Sequence, residues 1–277
     1  MILFIFCCGL AVGSFLNVVV IRGHKGESLG GRSHCVHCAT VLSVRELIPV
    51  FSFLIQKARC RNCKGRISWQ YPLVELACGL LYVLGFTLIG DSSYLWTYEK
   101  VFFSLAWFIG IPAMLVILVS DFRFQTIPDG ATLTLGAIGV GATLLRAFLP
   151  STAELLPPEF MTGIGTSGLA YDLITVSIIS GILWALWFFS DGRWMGFGDV
   201  KLIFATSLIL GFPAAIAGFL FAFWSGSIVG ILLLLTGKKR WRQHIPFGPF
   251  ILLGGGLALL FSSLFFNQVG LGTLVVL

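Results

Sequence analysis

Residues 214–236 read AAIAGFLFAFWSGSIVGILLLLT, without one charged side chain. A helix rises about 1.5 Å per residue, so a run of this length crosses the roughly 30 Å hydrocarbon core of a bilayer. Further apolar runs lie at 2–21, 72–90, 101–120, 131–149, 170–189, 200–212 and 247–266. The stretches Leu80–Leu88 and Leu232–Leu235 lack the strict alternation of outer-membrane barrel strands. Composition agrees: 57% of residues are hydrophobic and 11% charged, against roughly 25% charged in soluble domains. Such a chain cannot cover a water-facing surface, and lipid is its main solvent. The expected fold is an all-α integral membrane protein with about eight transmembrane helices. The sixth run is the shortest, and Gly211-Phe212-Pro213 predicts a tight turn out of it, with a re-entrant or merged segment as the alternative.

The first run has no preceding positive residue and no A-x-A cleavage site, so it reads as a retained helix. Gly9 and Gly13 sit in it at the spacing that lets two helices approach closely. Nine of the 18 Lys and Arg residues fall between Arg22 and Arg66, against Glu27 and Glu46 alone. That leaves +7 on this stretch, in a chain whose net charge is +6. The basicity therefore belongs to one loop, and the positive-inside rule places that loop in the cytoplasm. Alternation then puts Arg123, Arg193, Lys201 and Lys238–Arg242 inside. Asp91, Glu99, Glu154 and Glu159 fall outside, with Lys100 and Arg146. Juxtamembrane charge of this kind serves topology and anionic lipid, so the bilayer is the expected partner and nucleic acid is not. The chain divides into a first helix (1–21), a basic four-cysteine domain (22–70) and a polytopic membrane domain (71–277).

Within the basic loop, Cys35-Val-His-Cys38 and Cys60-Arg-Asn-Cys63 are two C-x-x-C knuckles. Four thiolates so arranged suit a tetrahedral structural zinc, which would fold a segment too small for its own core. Disulfides are the alternative, disfavoured in the cytoplasm. His34 and His37 are alternative ligands. Cys7, Cys8 and Cys78 lie in apolar runs and read as small packing residues.

Acidic residues at membrane depth are costly and point to function. Two places stand out, both on the expected cytoplasmic side: Asp121, closing the third run ahead of Ile127-Pro128-Asp129, and Asp199, within Gly196-Phe-Gly198-Asp199-Val-Lys201. Two neighbouring carboxylates from different helices do not both ionise easily, which lets one act as base and the other as hydrogen-bond donor toward a shared water. Asp129 and Asp191 are expected to act as helix caps instead. No Ser/His/Asp or H-E-x-x-H arrangement competes. A transporter using the aspartates as proton or cation sites is the rival from another class, but no internal repeat is visible.

In this order and spacing the chain resembles the bacterial type IV prepilin peptidases, membrane aspartic proteases. The resemblance is carried by Gly13-Ser14-Phe15-Leu16-Asn17-Val18, both cysteine knuckles, Leu47-Ile48-Pro49-Val50, Ile67-Ser68, Tyr71-Pro72 and Val74-Glu75-Leu76. Asp121 with Ile127-Pro128-Asp129, Gly196–Lys201 and Ile245-Pro246-Phe247-Gly248-Pro249-Phe250 complete it. The resemblance implies a multi-pass inner-membrane enzyme whose active site faces the cytoplasm. It implies cleavage of the basic leader of prepilins or pseudopilins, with Asp121 and Asp199 as the catalytic pair. It also implies N-methylation of the new N-terminus from S-adenosylmethionine, associated with the cysteine-bearing domain; a methyltransferase with a vestigial protease site is a rival reading. No glycine-rich nucleotide fingerprint marks a cofactor site. Where the family usually has glycine before Arg-Cys of the second knuckle, this chain has Ala58. A glycine there would be free to take positive φ or admit a ligand closely, and Ala58 is expected to do neither.

Overall fold

The computed structural model describes residues 1–90, 98–148, 168–237 and 245–268. Asp91, Glu154, Glu159 and the basic run 238–242 lie outside the described residues. Nine α-helices are described: α1 (Ile2–Lys25), α2 (Phe51–Ile55), α3 (Gln70–Gly90), α4 (Tyr98–Phe124), α5 (Asp129–Phe148), α6 (Leu169–Phe189), α7 (Phe197–Leu210), α8 (Ala214–Leu235) and α9 (Gly248–Gln268). Each of the eight apolar runs is a helix. Among the described residues, six helices are long and apolar enough to cross a membrane: α1, α3, α4, α5, α6 and α8. The shorter two are α7, with 14 residues, and the described apolar part of α9, Gly248–Phe261. Beyond helices, the described residues hold only isolated β-bridges, His34 to Val41 and Arg59 to Arg66.

The chain forms two compact units: Met1–Ser93 with Phe103–Val119, and Tyr94–Phe102 with Ser120–Leu277. In the first, α1 packs along α3. A Cβ on Gly9 would lie 2.7 Å from the Gly79 Cα, and one on Gly13 would lie 2.7 Å from the Glu75 Cα. The small residues thus bring the two backbones together as their spacing predicts. Buried Asn17 bridges the pair, donating to the Gly13 carbonyl and the Tyr71 carbonyl, both at 3.3 Å. Tyr82 donates to the Phe108 carbonyl at 2.8 Å, and Trp107 donates to the Leu81 carbonyl at 2.8 Å, tying α3 to α4.

In the second unit α7 is central, touching α5, α6, α8 and α9. Past Asp199 and Lys201 near its start it carries no charge, and Leu202, Ile203, Ala205 and Leu208 are all buried. A helix segment enclosed by other helices needs no charged face. The Gly211 turn separates α7 from α8, so the sixth and seventh runs do not merge; Gly211 takes φ 67°, where a side chain would be strained. That turn is held by the Asp172 carboxylate, which accepts the Phe212 N–H at 2.7 Å. The other Asp172 oxygen pairs with Arg146 at 3.0 Å, both side chains being at most 5% exposed. Arg146 also donates to the carbonyls of Leu208 (2.7 Å) and Ile209 (2.9 Å), at the C-terminus of α7.

Removing one partner of such a pair strands a buried charge, at a cost of about 3–5 kcal/mol. Arg146→Met is therefore expected to lower the unfolding temperature of the detergent-purified protein markedly, read by intrinsic fluorescence. An unchanged transition would contradict a structural role for the clamp.

Candidate active site and metal centre

The two cysteine knuckles are copies of one turn. In the first, the Cys35 N–H donates to the Thr40 carbonyl and the Ala39 N–H returns to the Cys35 carbonyl, both at 2.9 Å. In the second, the Cys60 N–H donates to the Gly65 carbonyl at 2.9 Å and the Lys64 N–H to the Cys60 carbonyl at 3.1 Å. The residue after each pair is left-handed, Ala39 at φ 55° and Lys64 at φ 60°. The turns bring the four sulfurs within 4.8 Å of one another. With Zn–S near 2.3 Å, the sulfurs of a tetrahedral site stand about 3.8 Å apart; Cys35 and Cys63 are 3.9 Å apart. All four are free thiols, and the donor set fits a tetrahedral soft-metal site.

The Thr40 hydroxyl and amide draw the Cys38 thiol down to about 6. Against the Gly65 amide, burial and the three other sulfurs push the Cys63 thiol up to about 11. Crowded thiols of this kind are what a divalent cation deprotonates outright. His37 adjoins the cluster, its backbone N–H donating to Cys35 Sγ at 3.4 Å, but its Nε2 lies 3.2 Å from the Arg66 carbonyl, and neither His34 nor His37 belongs to the group.

Ala58 departs from expectation. It takes φ 58° and its neighbour Lys57 takes φ 50°, so the alanine adopts the left-handed conformation associated with glycine, at a cost of roughly 1–2 kcal/mol. Local bonding supports it: its N–H donates to the Phe53 carbonyl at 3.0 Å, and its carbonyl accepts from Ile67 at 2.8 Å.

In the second unit, Asp121 lies in the last turns of α4, and its helix ends at Gln125, which takes φ 53°. Asp199 lies in the first turn of α7 after the N-cap Gly196. They are 5% and 9% exposed and lie within electrostatic range of each other. Ile127, from the α4–α5 turn, links the two places. A Cβ on Gly198 would meet the Ile127 Cβ at 3.0 Å, and one on Gly248 would meet the Ile127 Cδ1 at 3.4 Å. Gly248 opens α9, and its N–H donates to Asp121 Oδ2 at 2.9 Å. A Cβ there would sit 2.8 Å from the same oxygen. The N-terminus of α9 thus orients Asp121, and its dipole favours negative charge there.

Gly248 and Asp172 carried no assigned role in the sequence reading. The signal for Gly248 was its place in Ile245–Phe250, and for Asp172 an acid inside an apolar run with Arg146 across the preceding loop. Asp129 opens α5 and pairs with Lys201. Asp191 lies beyond the end of α6 at φ 50°, paired with Arg193 at 3.3 Å, so it does not start a helix. A groove of about 550 Å³ between α5, α6 and α7 is lined by Leu133, Trp184, Phe197 and Phe204 with Asp129 and Lys201. Neither Asp121 nor Asp199 lines it.

The Bacterial Peptidase A24 N-terminal domain matches residues 7–89, and the Type IV leader peptidase family matches residues 108–235. A prepilin leader peptidase/N-methyltransferase of Burkholderia pseudomallei (strain 1026b) is 31% identical over 294 residues, covering 95% of this chain and 86% of the other. One of Bacillus subtilis (strain 168) is 32% identical over 265 residues, covering 95% and 94%. A type 4 prepilin-like proteins leader peptide-processing enzyme of Escherichia coli O78:H11 is 30% identical over 277 residues, covering 93% of each. No solved structure matches. With likeness running through both units and nearly end to end, this chain belongs to the type IV leader peptidase family.

Proposed function

We propose that the protein removes the short basic leader from type IV prepilins or pseudopilins, and N-methylates the N-terminal residue so exposed. The observation that supports this best is the burial of Asp121 and Asp199, from different helices, within electrostatic range of each other at one end of the second unit. One carboxylate takes a proton from a bound water as its oxygen attacks the scissile carbonyl, and the other donates a hydrogen bond to the carbonyl oxygen. Collapse of the tetrahedral intermediate breaks the C–N bond, and a proton passes from the pair to the leaving nitrogen. S-adenosylmethionine, when bound, supplies the methyl group for the new α-amine. Zinc, when bound, supplies a cross-link through Cys35, Cys38, Cys60 and Cys63. Both fit an enzyme of the bacterial inner membrane whose aspartates and cysteine lobe face the cytoplasm, where the basic leader would lie.

The test mixes detergent-purified protein, a prepilin carrying its leader and labelled S-adenosylmethionine, and reads the intact mass of the product. Loss of the leader with gain of a methyl group is expected. Unchanged prepilin from folded protein would overturn the reading. Gly248→Ala places a methyl group against Asp121 Oδ2, and displacing a reacting group by about 1 Å costs roughly a hundredfold in rate. Cleavage by that variant is expected to slow on that scale with the methylation of pre-cleaved pilin intact.

A further inference from the structure

Helix α2 carries apolar side chains on both faces. Phe53 is buried and stacks edge-on against Trp69, ring centroids 4.8 Å apart. Phe51, Leu54 and Ile55 fall on the opposite face at i, i+3 and i+4. They are 61%, 59% and 69% exposed. Ile48, just before the helix, and Trp69, just before α3, are also exposed. Such a patch marks a contact with something apolar.

Hydrogen bonds set the depth of that patch. The Val50 N–H, immediately ahead of α2, donates to the Glu75 carboxylate at 2.7 Å. Glu75 is 6% exposed, and its Cα faces Gly13 of α1, where an added Cβ would lie 2.7 Å away. Gln70 and Tyr71, at the start of α3, bond to Asn17. The entry to α2 is thus latched to the Gly13 level of α1. From Gly13 the α1 sequence carries no charge until Arg22, nine residues and about 13 Å further along the helix. Arg22 is where α1 leaves the hydrocarbon, since it is the first charged side chain and its guanidinium gathers the carbonyls of Ser28, Leu29, Gly30 and Arg32. Residues 50–55 therefore lie on the membrane side of that boundary.

We infer that α2 is a wedge seated in the cytoplasmic leaflet, with Phe51, Leu54 and Ile55 against phospholipid acyl chains. The flanking sequence suits that occupant. Arg45 precedes the wedge and Lys57, Arg59 and Arg61 follow it, in reach of anionic headgroups, and exposed Trp69 has the amphipathic ring favoured at a membrane interface. The Glu75 latch holds the wedge where no water would pair the Val50 N–H, which gives the Leu47–Val50 stretch and Glu75 a shared purpose. The cysteine lobe is thereby fastened to the bilayer at a third point besides α1 and α3.

The test places the photo-cross-linking residue p-benzoylphenylalanine, singly, at Phe51 and at Ile55 of the full-length protein in phosphatidylethanolamine–phosphatidylglycerol vesicles. Val36, exposed on the first knuckle, is the control. Phe51 is an aromatic-for-aromatic replacement on an exposed face, so the fold is kept. After irradiation, mass spectrometry is expected to find lipid adducts at Phe51 and Ile55 and none at Val36. Adducts at those two positions confined to protein, whether elsewhere in this chain or in a second copy, would overturn the wedge. Absence of any adduct, as for a side chain in water, would overturn it equally.

Discussion

Asp121→Asn and Asp199→Asn are each expected to reduce leader cleavage by at least about a thousandfold, since positioned acid–base groups contribute 10²–10⁴ and a pair acts as a unit. Asparagine keeps the size of the side chain and, at position 121, an oxygen to accept the Gly248 N–H. The variants should therefore fold, with unfolding temperatures near that of the parent. What they lose is the ability to pass a proton to and from water. Asp129→Asn is the matched control. Asp129 opens α5 just past the α4–α5 turn but is exposed and paired with Lys201, so its loss should leave most cleavage in place. Single-turnover rates on one prepilin compare all three. Near-parental cleavage by either Asp121→Asn or Asp199→Asn would remove the pair from the mechanism.

Loss of metal should strike the other activity. Between residues 26 and 69 only Phe53 and Cys60 are buried apolar side chains, far too little core to fold a lobe of that size in water. Apparent binding free energies for structural zinc run to about 10–16 kcal/mol, and in such segments binding energy is folding energy. Cys60→Ser is expected to abolish bound zinc, measured by elemental analysis of the purified protein, and to abolish methylation of pre-cleaved pilin. Cleavage is expected to persist, because Asp121 and Asp199 belong to the other compact unit. Methylation at the parental level in metal-free protein would refute the cross-link.

Helix positions were legible because the hydrophobic effect writes them as uninterrupted apolar runs, and each predicted run is a helix. Length was less legible: α7 is too short to count as a span on composition, yet it is the most enclosed helix of its unit, a property of its neighbours rather than of its own residues. Asp129 and Asp199 show the same division. Both are acids in the first turn of a helix, and sequence can offer either as a cap or as a catalyst. Packing decides between them, leaving one at the surface beside Lys201 and burying the other near Asp121.

The sequence by itself determined the membrane class, the helical runs, the basic loop and the two cysteine knuckles, because composition, period and local spacing are properties of neighbouring residues. Tertiary structure alone decided that Gly248 holds Asp121, that Arg146 and Asp172 clamp the end of α7, and that Glu75 pins Val50. Each of those contacts joins residues separated by at least 25 positions, and buried polar groups find such partners only once the helices have packed. Ala58 marks the boundary between the two. Its type predicts ordinary backbone, and bonds to Phe53 and Ile67 hold it at positive φ instead.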